Sequence, residues 1–250
     1  MKKIALTVAC GLLCSASVLA DGWGGIKGQV VLKGDAPEPV LLHAKGAPIK
    51  DAAVCAAADT YADDLVVDKD TKGIANVFIY LAKAPKTIHP DLKDPSPAKV
   101  IFDQKGCQFI PHALTLQAGQ TVEVISHDAI AHNTHTNPIK NTAQNVLIAP
   151  NTAEGSGVDI ENKLAERLPF KVTCDYHPWM TAYWLVVDHP YCAVTDKEGR
   201  FTIENLPEGS HTFIVWHEKK GYLDRKYAAT VKDGQVSELK PIEVNPSDLK

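Results

Sequence analysis

Short strand patterns separated by turns run through most of the chain and limit the folds open to it. Residues 25–33 alternate apolar and polar side chains and end at a Gly-Asp turn. The other stretches that predict strands are 65–68, 74–81, 100–102, 109–110, 114–116, 121–125, 170–173, 183–187, 200–203, 212–216, 227–231 and 242–244. Two short helices are predicted, near 51–58 and at 159–168. Many short strands with regular turns and few helices are typical of an all-β sandwich.

Two stretches divide this strand pattern into blocks. Residues 84–98 contain four prolines, which predicts a stiff and extended linker. His189 and Pro190 mark a second boundary. The strands of 99–189 therefore form a central block between an N-terminal part, 21–98, and a C-terminal part, 190–250.

The first twenty residues have the composition of an export signal. Lys2 and Lys3 precede an apolar run over 4–13, and small residues lead to an expected cleavage site after Ala20. No later segment approaches the roughly 20 apolar residues that a membrane helix needs. We therefore expect 1–20 to be a signal peptide and the product to be periplasmic, without membrane insertion.

The charge of the chain also limits its partners. The formal net charge is −4, and cleavage after Ala20 would remove two lysines and no acidic residue. The exported protein is therefore mildly acidic, which argues against binding nucleic acid or anionic membranes and leaves protein partners open.

Residues 172–180 contain three potential metal ligands, Cys174, His177 and Met180, at three-residue intervals. Thiolate and thioether are soft donors that favour Cu(I), and imidazole suits copper in either oxidation state. Two His and one Cys with a weak axial Met make up a blue-copper electron-transfer site, so a second His must come from elsewhere. His132 is the candidate. Taken singly, each residue has a more ordinary explanation, namely a disulfide, a surface position or the core, but the three together favour copper.

Four cysteines remain after cleavage: Cys55, Cys107, Cys174 and Cys192. In an oxidising compartment they allow three pairings. If Cys174 binds metal, one of the other three is left unpaired. Cys55 lies in a loop-like run and Cys107 follows a Lys-Gly turn, so we favour a Cys55–Cys107 bridge. We expect Cys192 to be free and buried as a small apolar residue.

The central block resembles the cupredoxins, and more particularly their amicyanin- and plastocyanin-like members. The matching segments are 109–111, 114–116, 119–122, His132 with Asn133, and Cys174-x2-His177-x2-Met180. The resemblance implies a Greek-key sandwich over roughly 99–187 with one type 1 copper, Cu(I)/Cu(II), held by His132, Cys174, His177 and Met180. Asn133 could hydrogen-bond across to the Cys loop, although a plain turn residue is an equal alternative.

The flanking parts resemble a second family. Residues 193–213 are similar to the carboxypeptidase regulatory-like, transthyretin-like sandwich, whose first two strands resemble 28–30 and 73–80. In that family a Thr-Asp-x-x-Gly turn closely follows the second strand, whereas here the central block intervenes. We therefore expect a cupredoxin domain, 99–189, inserted in or flanked by a split transthyretin-like domain made of 21–98 and 190–250.

Other histidines do not extend the site to a multicopper centre. A trinuclear copper site needs His-x-His pairs, whereas His132 and His135 are three residues apart and Thr173 and Asp175 flank Cys174. We expect His135 to be exposed. The sequence leaves the role of His127 open, and it favours a strand-edge position for His217 over a metal site.

These patterns predict an electron carrier and not an enzyme. The sequence contains no Gly-x-Ser-x-Gly elbow, phosphate-binding glycine loop or His-Glu-x-x-His. We expect a redox partner, either a cytochrome or a periplasmic or membrane-bound oxidoreductase, to dock on an apolar patch near His177 and Trp179. Two alternatives stay open: a copper carrier or storage protein, and a protein- or glycan-binding module with a structural copper site.

Overall fold

The computed structural model describes residues 22–249, so the signal peptide predicted for 1–20 lies outside the described residues. The described part is built almost entirely of strands and loops, as the strand pattern predicts. No helix within it is long and apolar enough to cross a membrane. The first elements are β1 (Trp23–Leu32), β2 (Leu41–His43), α1 (Ala52–Cys55), β3 (Thr60–Tyr61) and β4 (Phe78–Leu81).

The central block carries nine strands among the described residues. They are β5 (Lys99–Lys105), β6 (Gln108–Ile110), β7 (Ala113–Gln117), β8 (Thr121–Val124), β9 (His132–Thr136), β10 (Asn145–Ile148), β11 (Val158–Glu161), β12 (Phe170–Thr173) and β13 (Thr181–Val187). One sheet has the order β10-β9-β12-β13-β7 and the other the order β11-β8-β5-β6. Phe102 of the second sheet packs edge-on against Trp184 of the first, and both side chains are fully buried. The block is thus a two-sheet sandwich.

The remaining strands follow the central block. They are β14 (Cys192–Val194), β15 (Arg200–Pro207), β16 (Gly209–His217), β17 (Gly221–Val231), β18 (Val236–Glu238) and β19 (Ile242–Val244). Strand β1 pairs with β15, β18 and β19, and β4 pairs with β14 and β16. Val30, Ile79 and Phe213 therefore share one apolar core although they come from opposite ends of the chain. Whether this part is a split domain with the limits given above stays a prediction.

A separate apolar cluster joins the central block to the outer strands. Phe78, Tyr80 and Trp216 of the outer sheet pack in it with Ala113 and Leu185 of the central block. Burying these side chains on both sides removes apolar surface from water, which is favourable at about 25 cal/mol per Å². The two parts therefore hold each other through an apolar face, and the metal-ligand candidates lie elsewhere.

The helix predicted at 159–168 is wrong. Val158 and Ile160 alternate with Asp159 and Glu161, and this period-two pattern forms β11, which pairs with β8. The strand predicted at 65–68 is also wrong, because only Val67 forms an isolated bridge there, to Ile74.

Two other elements are shorter than predicted. The strand expected at 74–81 is reduced to β4, since Asn76 has a left-handed φ of 61° that interrupts extended backbone. The helix expected near 51–58 is the single turn α1.

The structure confirms the Cys55–Cys107 disulfide. This bridge connects α1, which precedes the central block, to the turn between β5 and β6 inside it. Cys174 and Cys192 are the free cysteines of the described part. Cys192 is partly buried, and burial raises the pKa of its thiol to about 11. Cys192 therefore stays a protonated, unreactive thiol at neutral pH.

Candidate metal centre

Two neighbouring strands bring the predicted ligands to one end of the sandwich. His132 is the first residue of β9, and Cys174 follows directly after β12, which pairs with β9. His177 lies in the loop that leads from β12 to β13. This loop is tied at its base, where the Met180 N–H donates to the His177 carbonyl at 2.9 Å and the Cys174 N–H to the Met180 carbonyl at 3.3 Å.

Three of the four predicted ligands converge inside the protein. One donor atom from each of His132, Cys174 and His177 lies within 4.8 Å of the others. The two Nδ1 atoms are 3.0 Å apart, and the Cys174 Sγ is 3.8 Å from the His177 Nδ1. Exposure is 0% for both histidines and 1% for Cys174, so water does not reach the donor atoms.

Met180, the fourth predicted ligand, lies in the same apolar cluster as Cys174 and is 1% exposed. Its backbone closes the ligand loop through hydrogen bonds with Cys174 and His177. The thioether is the weakest of the four donors and suits a long axial bond. The role of Met180 as the axial ligand stays a prediction.

A carboxylate holds the outer nitrogen of each histidine. The Nε2 atom of His132 is 2.8 Å from Asp128 Oδ2, and that of His177 is 2.9 Å from Asp51 Oδ2. Each Nε2 donates its proton to a carboxylate, so each Nδ1 is left to face inward. Such carboxylate–histidine pairs are typical of histidines that bind a metal, because they fix the ring and raise its basicity. The donor set therefore fits a copper ion.

The charges around the sulfur favour a thiolate in the metal-free protein. Burial alone would raise the pKa of Cys174, but hydrogen bonds with His132 and His177 outweigh it and lower the pKa to about 6. Burial also lowers the pKa of His132, but its hydrogen bonds to Asp128 and to Cys174 outweigh this and raise the pKa to about 9. The thiolate is the form of cysteine that binds metals.

Asn133 hydrogen-bonds to the ligand loop, which is one of the two equal alternatives that the sequence left open. Its Oδ1 accepts hydrogen bonds from the backbone N–H of Asp175 at 2.7 Å and of Tyr176 at 3.3 Å, and lies 3.3 Å from the Cys174 Sγ. Its Nδ2 donates to Asn145 of the neighbouring strand β10. Asn133 therefore anchors the loop to the sheet from which His132 also projects.

The other histidines lie outside the converging donor set. His127 and His135 form pairs with Asp103 and Asp175, with side chains 57% and 36% exposed. His217, expected at a strand edge, is the last residue of β16 and is buried.

Sequence reasoning missed Asp51 and Asp128. Asp128 is four residues before His132, and that proximity was an available signal. Asp51 is 126 residues away from His177, and no sequence pattern connects the two. The outer nitrogen of His177 faces the Asp51 carboxylate and not an apolar side chain.

No family model matches the sequence, and no curated protein matches it. Three solved structures illustrate the partial matches that were found. A copper-containing nitrite reductase from Thermus scotoductus is 17% identical over 41% of this chain and 25% of its own, with a TM-score of 0.32. Amicyanin from Paracoccus versutus is 16% identical over 44% of this chain and 97% of its own, with a TM-score of 0.31. A purple cupredoxin from Nitrosopumilus maritimus is 15% identical over 35% and 98%, with a TM-score of 0.29.

Proposed function

We propose that this protein binds one copper ion in a type 1 site and carries single electrons between periplasmic redox partners. His132, Cys174 and His177 are the equatorial ligands and Met180 the axial one. The observation that supports this most is the convergence of two imidazole Nδ1 atoms and one thiol Sγ within 4.8 Å in a buried place. A bound copper ion would supply reversible one-electron chemistry between Cu(I) and Cu(II).

The protein's own contribution is to hold the ligands still. Strand β9 carries His132, and the neighbouring strand β12 leads into Cys174. The ligand loop is closed by its own backbone hydrogen bonds, and Asn133 anchors the loop. A fixed ligand set changes little when the charge of the ion changes, so electron transfer requires little rearrangement. Exclusion of water also strengthens the electrostatic effect of the surrounding charges on the reduction potential.

Burial of the ligands favours a resident ion over a transported one. A carrier that hands copper to a partner needs a ligand the partner can reach, whereas His132, Cys174 and His177 are 0% to 1% exposed. The same closed pocket offers no open position for a substrate, which supports a carrier of electrons and not an enzyme. The partner is proposed to be a cytochrome or a periplasmic or membrane-bound oxidoreductase that docks near His177 and Trp179, where Tyr176 is exposed.

The test is the absorption spectrum of the purified protein after addition of Cu(II). We expect one copper per chain and strong visible absorption, because a thiolate bound to Cu(II) gives an intense charge-transfer band. Cys174→Ser should remove the band, since a hydroxyl does not replace the thiolate. Cys192→Ser is the matched control and should leave the colour unchanged. A wild-type protein that stays colourless with excess Cu(II) under oxidising conditions would refute the proposal.

A further inference from the structure

The candidate metal centre is covered by a segment that precedes the central block. This segment, residues 41–61, contains β2, α1 and β3 and is here called the cover. Strands β2 and β3 pair with each other and with no other strand of the described residues. The cover is thus attached to the rest of the molecule through the disulfide and through side-chain contacts, and not through a shared sheet.

Three contacts join the cover to the ligand loop. The Asp51 carboxylate binds the Nε2 of His177 at 2.9 Å. Beside it, the Lys50 ammonium lies 4.6 Å from the ring centre of Tyr176. His43 meets Trp179 edge-on, with ring centres 4.6 Å apart. Three loop residues, 176, 177 and 179, are therefore in contact with the cover, and His177 is completely buried.

The backbone of Asp51 is held in an uncommon conformation. Its φ is 54°, in the left-handed region, and its carbonyl accepts the N–H groups of Val54 and Cys55 at 2.9 Å each. A non-glycine residue in this region costs of order 1 kcal/mol and persists where surrounding contacts impose it. The turn of α1 therefore aims the Asp51 side chain at the ligand loop.

The disulfide links the two carboxylates that hold the histidines. Cys55, at the end of α1, is bonded to Cys107, whose N–H donates to Asp128 at 2.9 Å. The N–H of Gly106 donates to the same carboxylate at 2.7 Å, and both residues have positive φ, a turn whose amides converge on an anion. One covalent bridge thus positions Asp51 against His177 and Asp128 against His132.

We propose that Asp51 is a positioning residue of the metal centre, supplied by the cover and held in place by the Cys55–Cys107 disulfide. By accepting the Nε2 proton of His177 it fixes the ring so that Nδ1 faces His132 and Cys174. The central block alone then contains the ligands but not the complete centre. This inference rests on the proposed function for the identity of the metal, but the state of the His177 ring does not depend on it.

The negative charge of Asp51 has a second effect on the bound ion. A carboxylate on the outer nitrogen makes imidazole a stronger donor and stabilises the higher charge of Cu(II). Removal of that charge should therefore raise the reduction potential and weaken Cu(II) binding by about 10- to 100-fold, the usual effect of losing such a partner.

The experiment compares Asp51→Ala, Asp51→Asn and the matched control Asp59→Asn. Asp59 lies in the cover and changes the net charge equally, but it contacts the Lys45 N–H and not the ligand loop. Nitrogen NMR of the metal-free protein first identifies which nitrogen of His177 carries the proton. We expect Nε2–H in the wild type and in Asp51→Asn, whose amide oxygen still accepts it. In Asp51→Ala we expect a shift towards Nδ1–H, because the Cys174 sulfur then becomes the best acceptor.

The copper-loaded proteins supply the second measurement. Asp51→Asn should raise the reduction potential and weaken Cu(II) binding, while Asp59→Asn should match the wild type. The inference is overturned if Asp51→Asn and Asp59→Asn have the same reduction potential and the same Cu(II) affinity. It is also overturned if Asp51→Ala leaves the protonation of the His177 ring unchanged. Should Asp51→Ala fail to fold, Asp51→Asn alone decides through the potential and the affinity. A wild type that binds no copper refutes the proposed function instead, and the ring measurement still decides the role of Asp51.

The role of the disulfide is tested by Cys55→Ser combined with Cys107→Ser. Without the bridge the cover is free to move away, so we expect a chelator to remove copper faster and the His177 ring to behave as in Asp51→Ala. Unchanged copper release and an unchanged ring in a folded double variant would show that Asp51 is positioned without the disulfide.

Discussion

Two buried histidine clusters differ in what their nitrogens face. At the metal centre, His132 and His177 each direct one nitrogen to a carboxylate and the other to a shared space containing a thiol. At the boundary between the central block and the outer strands, His112 contacts Glu218 through Nε2, and its Nδ1 lies 3.7 Å from Asp63. In that second cluster both sides of the ring face acids, and no sulfur is present.

The second cluster, here called the boundary cluster, consists of His112, Glu218, Asp63 and His217, and the last of these has one unpaired ring nitrogen in the described part of the chain. His217 is 1% exposed, and its Nε2 has no hydrogen-bond partner among residues 22–249. Within the same range, no three ligand atoms of the boundary cluster lie mutually within 4.8 Å, whereas those of the metal centre do. Buried histidines and acids together therefore do not bring three ligand atoms close to one another; the donors of the candidate metal centre do.

The largest expected difference between the clusters is in copper binding. His132→Ala should lose or severely distort the copper site, because it removes one of two equatorial nitrogens. His112→Ala should retain copper and instead lower stability, on the order of 3 kcal/mol, since it leaves Glu218 without its buried partner. Copper content and visible spectra measured beside urea unfolding separate the two effects. Normal blue copper in His132→Ala would assign the second nitrogen to another residue, and loss of copper in His112→Ala would contradict the comparison.

The next effect concerns the axial position within the metal centre. Met180→Gln should keep copper and lower the reduction potential, because an amide oxygen is a harder donor than a thioether and favours Cu(II). Voltammetry of the variant beside the wild type measures the shift. Met180→Leu is the control without a donor atom and should shift the potential upward. An unchanged potential in both variants would exclude Met180 as a ligand.

The candidate ligands were recognisable in the sequence because most of them are local. Cys174, His177 and Met180 lie in one loop, so their spacing alone brings them together, and strand β12 before them was predicted with its observed bounds. His132 required a judgement among several histidines. The role of Asp51 could not be predicted from the sequence, because its contact with His177 depends on how the whole cover packs. The disulfide could be predicted from a loop-like run and a turn, but the position of the cover that it holds could not.

Prediction of the outer strands from the sequence has a similar limit. The strands of 200–203, 212–216 and 242–244 were recognisable as short strand patterns between regular turns, and the observed strands contain them. The alternation at 158–161 was read as helix, because its four residues stand in a loop-rich stretch with little flanking signal. Local pattern thus predicts single elements, whereas pairings such as β1 with β19 depend on contacts across the whole chain.

The smallest expected effect is the pH dependence of the boundary cluster. Burial, followed by the nearby charge of His112, lowers the pKa of His217 to about 4 from an ordinary value of 6.5. The unfolded chain therefore binds a proton on His217 between pH 6.5 and 4 that the folded protein does not, and stability falls as the pH falls through this window. The loss is on the order of 2 to 3 kcal/mol.

His217→Leu should remove this loss of stability, so urea midpoints at pH 7 and pH 4.5 should differ less than in the wild type. His211→Gln, a partly exposed histidine on the same strand, should keep the wild-type difference. The copper spectrum should be the same in all three proteins, because His217 lies outside the metal centre. A variant His217→Leu that remained as acid-sensitive as the wild type would place the acid-sensitive group elsewhere, with the buried His189, whose pKa burial also lowers, as the next residue to replace.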